Sequence, residues 1–300
     1  MSTTAAPKGD PTTNTRHARA AAHSGDAVDG LVALQAQLET AAPLANGRSW
    51  LGPLRATGLA RFLVLGLPTP RDEAWRKTSL APLLAARYHL PPARPADDRL
   101  RRRVAELLPE GASFALVFVD GHFAPDLSRQ PALPAGVTAT SLGATAGGAR
   151  AVLQAHIGRD ADAEREAFAA LNTAFVADGA FVHLPPGAQV DIPIHIVHVA
   201  TAPAGPNGAL AAAFPRTLVV AEAGSAAVVV ETFAGLDASD GVGYLTVPVT
   251  EINVADGATL AHVKHQDEGP GAIHLATMQV HQTGPSTFGT HAIDLGGRLV

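Results

Sequence analysis

Apolar and polar positions along the 300-residue chain change rhythm near Gly111. Upstream the spacing is helical. Leu31, Leu34 and Leu38 recur on one face behind Asp29, a residue suited to capping. Trp50, Leu51, Leu54 and Leu59 form a second stripe, expected to break at Gly52-Pro53. Thr69-Pro70 predicts a helix start, with Thr69 as cap, Pro70 in the first turn and Glu73 at the positive end. Pro91-Pro92-Ala93-Arg94-Pro95 reads as a linker. Asp97 or Asp98 opens a helix that turns Leu100, Val104, Leu107 and Leu108 inward. Arg101, Arg102 and Arg103 point in successive directions around it, so they read as a solvated face rather than an anion site.

Downstream the apolar runs shorten. Phe114 to Val119 predicts a strand, and Asp120-Gly121 a hairpin turn. One more helix is expected over 163–177, capped by Asp162, with Phe168, Leu171 and Phe175 on one face and Gly179 as its stop. From Phe181 to Val300 only strands and turns are expected. Pro186-Gly187-Ala188, Ala223-Gly224-Ser225 and Asp256-Gly257-Ala258 repeat a glycine turn between apolar runs. Their glycines are 37 and 33 positions apart, a spacing that suits stacked β units in a parallel β-helix or a large β-sandwich. The expected organisation is a disordered tail (1–28), a helical N-terminal domain (29–110), a junction with hairpin and helix (111–180), and a β core (181–300). Arg16 and Arg19 in the tail are compatible with a transit peptide, but a solvated leader is the favoured reading.

Composition narrows the chemistry. Charge is 22 basic against 27 acidic residues, which lacks the positive field of a nucleic-acid binder. There is no cysteine, so the chain cannot by itself build a disulfide, a zinc–thiolate site or a thiolate-ligated cluster. No apolar run reaches membrane-spanning length and the first 28 residues lack a secretory pattern, so a cytoplasmic location is expected. P-loop, hydrolase-elbow and dinucleotide fingerprints are absent. Eight of the 13 histidines lie between His183 and His291. His195/His198 and His262/His265 are three apart, which on a strand sends the two rings to opposite faces. Hydrogen-bonded or exposed histidines are therefore favoured over a metal centre. Glu222 and Glu231 are read as solvent-facing or paired with a neighbouring rung. Trp75-Arg76-Lys77-Thr78 fits a docking surface and a core-anchoring tryptophan equally well.

The stretch from Pro68 through Trp75 to Leu80 resembles the N-terminal signature of the SufD family, scaffold subunits of the bacterial Suf iron–sulfur cluster assembly system. The family often carries an aromatic where this chain has Lys77. Leu116 to Phe123, Leu127-Ser128, Leu133 to Val137, Ser141-Leu142, Ala170 to Phe175, Asp178-Gly179, Phe214 to Val220 and Val230-Glu231 are similar to its later blocks. The resemblance covers most of residues 30–300.

That resemblance implies a mixed α and β fold: an N-terminal helical region followed by a parallel β-helix core, apparently truncated. It implies a non-enzymatic scaffold that pairs with a SufB-like paralogue and engages a SufC-like ATPase. No cofactor is expected on this chain alone; a transient iron or iron–sulfur cluster would be shared with SufB. Trp75, Arg76 and Thr78 are the candidate partner surface, and His262, His265, His274, His281 and His291 the candidate iron ligands. Family members continue past the position of Val300, so the last rungs, the main SufB contact and the SufC-binding helices are expected to be missing. Two alternatives stand beside this reading. One is a β-helix polysaccharide lyase or glycosidase with paired carboxylates. The other is a histidine-based metal-binding protein.

Overall fold

A computed structural model describes residues 26–36, 38–39, 49–161, 163–237 and 241–300. Residues 26–36 and 38–39 are helical (α1), so the helix is already under way before the expected cap Asp29. Its predicted face holds: Leu31, Leu34 and Leu38 are all buried. The expected tail lies outside the described residues up to 25, as do Arg16, Arg19 and the expected cap Asp162.

Helix α2 spans Leu51–Leu65 and runs through Gly52-Pro53 without a break. Pro53 sits in the first turn, where its missing N–H has no intrahelical partner to lose. The buried stripe is Leu51, Arg55, Gly58 and Phe62, rather than Leu54 and Leu59. Thr69-Pro70 starts no long helix. The Asp72 carboxylate accepts from the Thr69 N–H at 2.7 Å and its hydroxyl at 3.1 Å, closing a turn that leads only to a 3₁₀ segment, Glu73–Trp75. A short α3 (Ala81–Leu84) follows. Helix α4 (Asp98–Leu107) matches its expectation: Asp97 caps it, accepting from the Leu100 N–H at 2.8 Å, and Leu100 and Val104 are buried. Helix α5 (Gly147–His156) had no counterpart in the sequence reading, and α6 (Ala167–Phe175) is shorter at both ends than 163–177. Among the described residues no helix is long and apolar enough to cross a membrane.

The strands are β1 (Tyr88–His89), β2 (Phe114–Val119), β3 (His122–Phe123), β4 (Thr138–Ser141), β5 (Gly179–Leu184), β6 (Ile194–Ala200), β7 (Leu210–Ala213) and β8 (Arg216–Ala221). They continue as β9 (Ala226–Gly235), β10 (Tyr244–Thr246), β11 (Val249–Val254), β12 (Thr259–Asp267), β13 (Ala272–His274), β14 (Thr277–Gln282) and β15 (Thr287–Asp294). Three sheets result, ordered β1-β7-β10-β13, β14-β11-β8-β5-β4 and β15-β12-β9-β6-β2-β3. From β5 onward each strand pairs in parallel with the strand three later, so the chain visits the sheets in rotation. The early β2–β3 and β4–β5 pairs are antiparallel. The hairpin falls at Asp120-Gly121 as read, both at positive φ (49° and 84°).

The glycine turns explain the period. Gly187, Gly224 and Gly257 all adopt positive φ, near 70°. Gly187 N–H donates to Ala223 O at 2.8 Å and Gly224 N–H to Asp256 O at 2.9 Å, so successive turns stack. A fourth turn, Gly284-Pro285, continues the stack through Gly257 N–H to Pro285 O at 2.8 Å, with its glycine one place earlier. Gly179 is not a helix stop but the first residue of β5. A Cβ there would lie 1.9 Å from the carbonyl oxygen of Arg216, so only glycine admits the neighbouring strand.

Apolar clusters tie these layers together. Between the second and third sheets lie Phe114, Leu116, Ile194, Ile196, Val229, Ile252 and Leu260. Leu31, Phe62, Phe168 and Phe175 bury against Phe214, Leu245 and Ile273 of the first sheet and its connections. Phe175 and Phe214 stack at 4.2 Å between ring centroids. Helix α4 covers the outside of β2 and β6, and α5 that of β5 and β8.

One ion pair fastens helix to sheet. Arg216 and Glu251 are both fully buried, with Arg216 Nη2 2.5 Å and Nε 2.9 Å from Glu251 Oε1. Arg216 Nη1 also donates to Asn172 Oδ1 at 2.9 Å and to the Thr173 hydroxyl at 3.2 Å on α6. Asn172 Nδ2 donates in turn to the carbonyls of Pro215 and Val247, each at 2.7 Å. Glu251 accepts the backbone N–H groups of Gly158 at 2.9 Å and of Asp160 and Ala161 at 3.1 Å. Burial alone would raise the Glu251 pKa, but the Arg216 charge and these N–H groups hold it below the ordinary carboxylate value. Breaking one partner leaves a buried charge uncompensated. Glu251→Leu should therefore lower unfolding free energy by ~3–5 kcal/mol, and Arg216→Met with Glu251→Leu should recover much of that loss. Urea denaturation measures both; equal loss in single and double variants would refute the coupling.

Candidate functional site

The face of β9 and β12 that carries Val229 and Leu260 into the core also carries Glu231, Phe233, His262, Lys264 and Gln266. The apolar interior thus becomes polar toward one side. Glu231 and His262 have side chains 2% exposed, with Glu231 Oε2 2.8 Å from His262 Nε2. The same oxygen accepts from the Thr250 hydroxyl at 2.8 Å, and His262 Nδ1 lies 3.3 Å from Thr290 Oγ1. Burial would raise the Glu231 pKa, but the bond and charge of His262, the Thr217 hydroxyl and His198 bring it down to about 2. Glu231 is therefore not solvent-facing; it takes the other reading, pairing across to a neighbouring strand.

A second acid–imidazole pair lies beside the first. His274 Nδ1 is 2.7 Å from Glu268 Oε2. Glu268 also accepts from the Thr246 hydroxyl at 2.8 Å and from Gln266 Nε2 at 3.0 Å. Desolvation works against the Glu268 charge, yet His274, Gln266 and Thr246 hold its pKa below the ordinary value. Between the pairs runs a column of rings. His198 stacks on Phe118 at 5.1 Å and on Phe233 at 4.8 Å, and His274 meets Phe233 edge-on at 5.0 Å.

Odd spacing on the strands has its expected effect. His198 shares the core face with Ile194 and Ile196, whereas His195 lies on the face of Val197 and Val199 under α4. The five candidate iron ligands are scattered by the same alternation. His262 is engaged by Glu231 and His274, in another sheet, lies against Glu268. His265 shares the opposite face of β12 with Val263, whose register partner on β15 is His291, and His281 is exposed on β14. Among the described residues no group of three His, Cys, Asp or Glu side chains could hold a metal.

Trp75 packs on Phe168 with ring centroids 5.2 Å apart and joins the α1–α2–α6 core. Arg76 beside it is exposed, and the Thr78 N–H donates to Trp75 O at 3.0 Å. The sequence reading missed Glu268, Thr246 and Thr250 as interior groups. The available signal was a lone polar residue inside an apolar strand run, as in Val228-Val229-Val230-Glu231.

His198 makes the interior sensitive to acid. Burial holds its pKa down at about 4, against an ordinary imidazole value of 6.5. Between those values the unfolded chain binds the proton and the folded chain does not. This contribution is therefore complete above pH 6.5 and falls as the pH drops toward 4, by roughly 3 kcal/mol. His198→Phe keeps the ring stack and removes the titration. Its unfolding free energy should fall less steeply over that interval in urea denaturation; a slope unchanged from the parent would contradict this account.

Comparison with known proteins gives consecutive matches in chain order. The family model described as the SufBD protein N-terminal region matches residues 44–196. That for the SUF system FeS cluster assembly SufBD core domain matches residues 203–300. An iron–sulfur cluster assembly SufBD family protein of Synechocystis is 29% identical over 244 residues, 78% of this chain and 51% of that protein. The iron–sulfur cluster assembly protein SufD of Escherichia coli is 27% identical over 242 residues, 81% of this chain and 52% of SufD. The chain thus spans about half the length of these curated relatives. With both of the family's regions matched in order across nearly all of its described fold, the chain belongs to the SufBD family.

Proposed function

We propose that the protein is a SufD-like, non-catalytic scaffold subunit in iron–sulfur cluster assembly, pairing with a SufB-like paralogue and engaging a SufC-like ATPase in the cytoplasm. The observation that carries this reading is the ordered match of both family regions across residues 44–196 and 203–300. The every-third-strand pairing supports reading residues 181–300 as successive turns of a parallel β-helix, fronted by the helical region 29–110 and the junction 111–180. The chain has no cysteine, so thiolate ligation of a transient shared cluster would fall to the SufB-like partner. On this chain, His265 and His291 are proposed as the imidazoles open to shared iron, because they lie off the core face. Arg76 and Thr78, positioned by the anchored Trp75, are the proposed contact surface.

Co-expression of a tagged chain extended past Val300 through the family's last rungs and SufC-binding helices, with SufB-like and SufC-like proteins, tests this. Retention of the SufB-like chain through washing is the expected result. Recovery of neither protein would remove the scaffold reading.

A further inference from the structure

A groove of about 440 Å³ lies on the outer side of the second sheet, away from the acid–imidazole interior. One wall is the end of α5 and the turn after it, bringing His156 and Arg159. The other is the last residues of β11 and β14, bringing Asn253 and His281. The floor is the outer face of the ends of β8 and β11, where Val220 is the apolar side chain; Ala221 and Val254 turn theirs inward to the core. The wall bearing Arg159 is held in place, because Glu251 binds the N–H groups of Gly158, Asp160 and Ala161 on either side of it.

The groove's two carboxylates are already engaged. Asp160 Oδ2 accepts from Asn253 Nδ2 at 2.8 Å, and Glu222 Oε1 lies 2.8 Å from His183 Nε2. The potential cations are not: among the described residues, His156, Arg159 and His281 have no side-chain hydrogen bond or ion pair. A planar guanidinium offers a fork matched to carboxylate or phosphate oxygens. A concave site of this size with an apolar floor and a few polar groups at one rim suits a small molecule.

We infer that this groove binds a small organic anion, its phosphate or carboxylate head on Arg159, flanked by His156 and His281, and its apolar body over Val220 and the ends of β8 and β11. The inference is independent of the proposed scaffold role.

Calorimetric titration of the described chain with phenyl phosphate and, separately, benzoate tests it and tells the two head groups apart. At least one should bind saturably. Arg159→Ala should weaken that ligand by about tenfold or more, and His281→Ala should weaken it to a lesser degree. Both residues are exposed, and circular dichroism checks that the variants keep the fold. Lys77→Ala, a distant exposed cation, should bind like the parent. Failure of both ligands to saturate, undiminished binding by Arg159→Ala, or equal weakening by Lys77→Ala would each overturn the inference.

Discussion

The Arg216–Glu251 pair is the constraint on which the arrangement of layers depends. Arg216 begins β8 and Glu251 lies on the adjacent β11, with Glu251 opposite Leu218 in the register. Through Asn172 and Thr173 the pair holds α6 against the sheets, and through the N–H groups of 158–161 it holds the turn after α5. Two charges without solvent contact persist only when their remaining hydrogen-bonding capacity is met, and here helix, turn and sheet each supply part of it. The pair therefore specifies one seating of helix on sheet, a role that apolar contact alone performs less selectively.

The interior follows a related logic. Parallel strands covered on both faces read as continuous apolar runs, and β2 and β5 are buried throughout. A carboxylate in such a place must find a partner on another strand. Glu231 finds His262 and Glu268 lies against His274, each with threonine support. In the first pair both ring nitrogens of His262 are taken, by Glu231 and Thr290, and strand alternation turns His265 and His291 to the opposite face, so this histidine-rich region contains no converged metal set among the described residues.

Much of the local structure was legible. Asp97 as a cap, the Phe114–Val119 strand, the Asp120-Gly121 turn and the glycine period all follow from interactions within a few residues of chain. The misreadings share a cause. Pro53 reads as a break in the sequence, though its position in the first turn removes the penalty. Gly179 reads as a helix stop in the sequence, though its reason is a strand's backbone pressed against it. Helix α5 has a short and glycine-led start, and its face forms only against Phe181 and Leu218 of the sheet beneath.

By itself the chain's pattern determined the mixed class, the switch from helical to strand rhythm, the recurring turns and the lack of thiol chemistry. Only the tertiary structure decided which polar side chains lie inside and whom they meet. Strand alternation states which residues share a face. Which face is covered, and which residue thirty positions away stands opposite, depends on turn lengths and register summed over a whole circuit of the three sheets. No local preference encodes that sum, so Glu231 and His262 become partners only when the chain has closed the circuit between them.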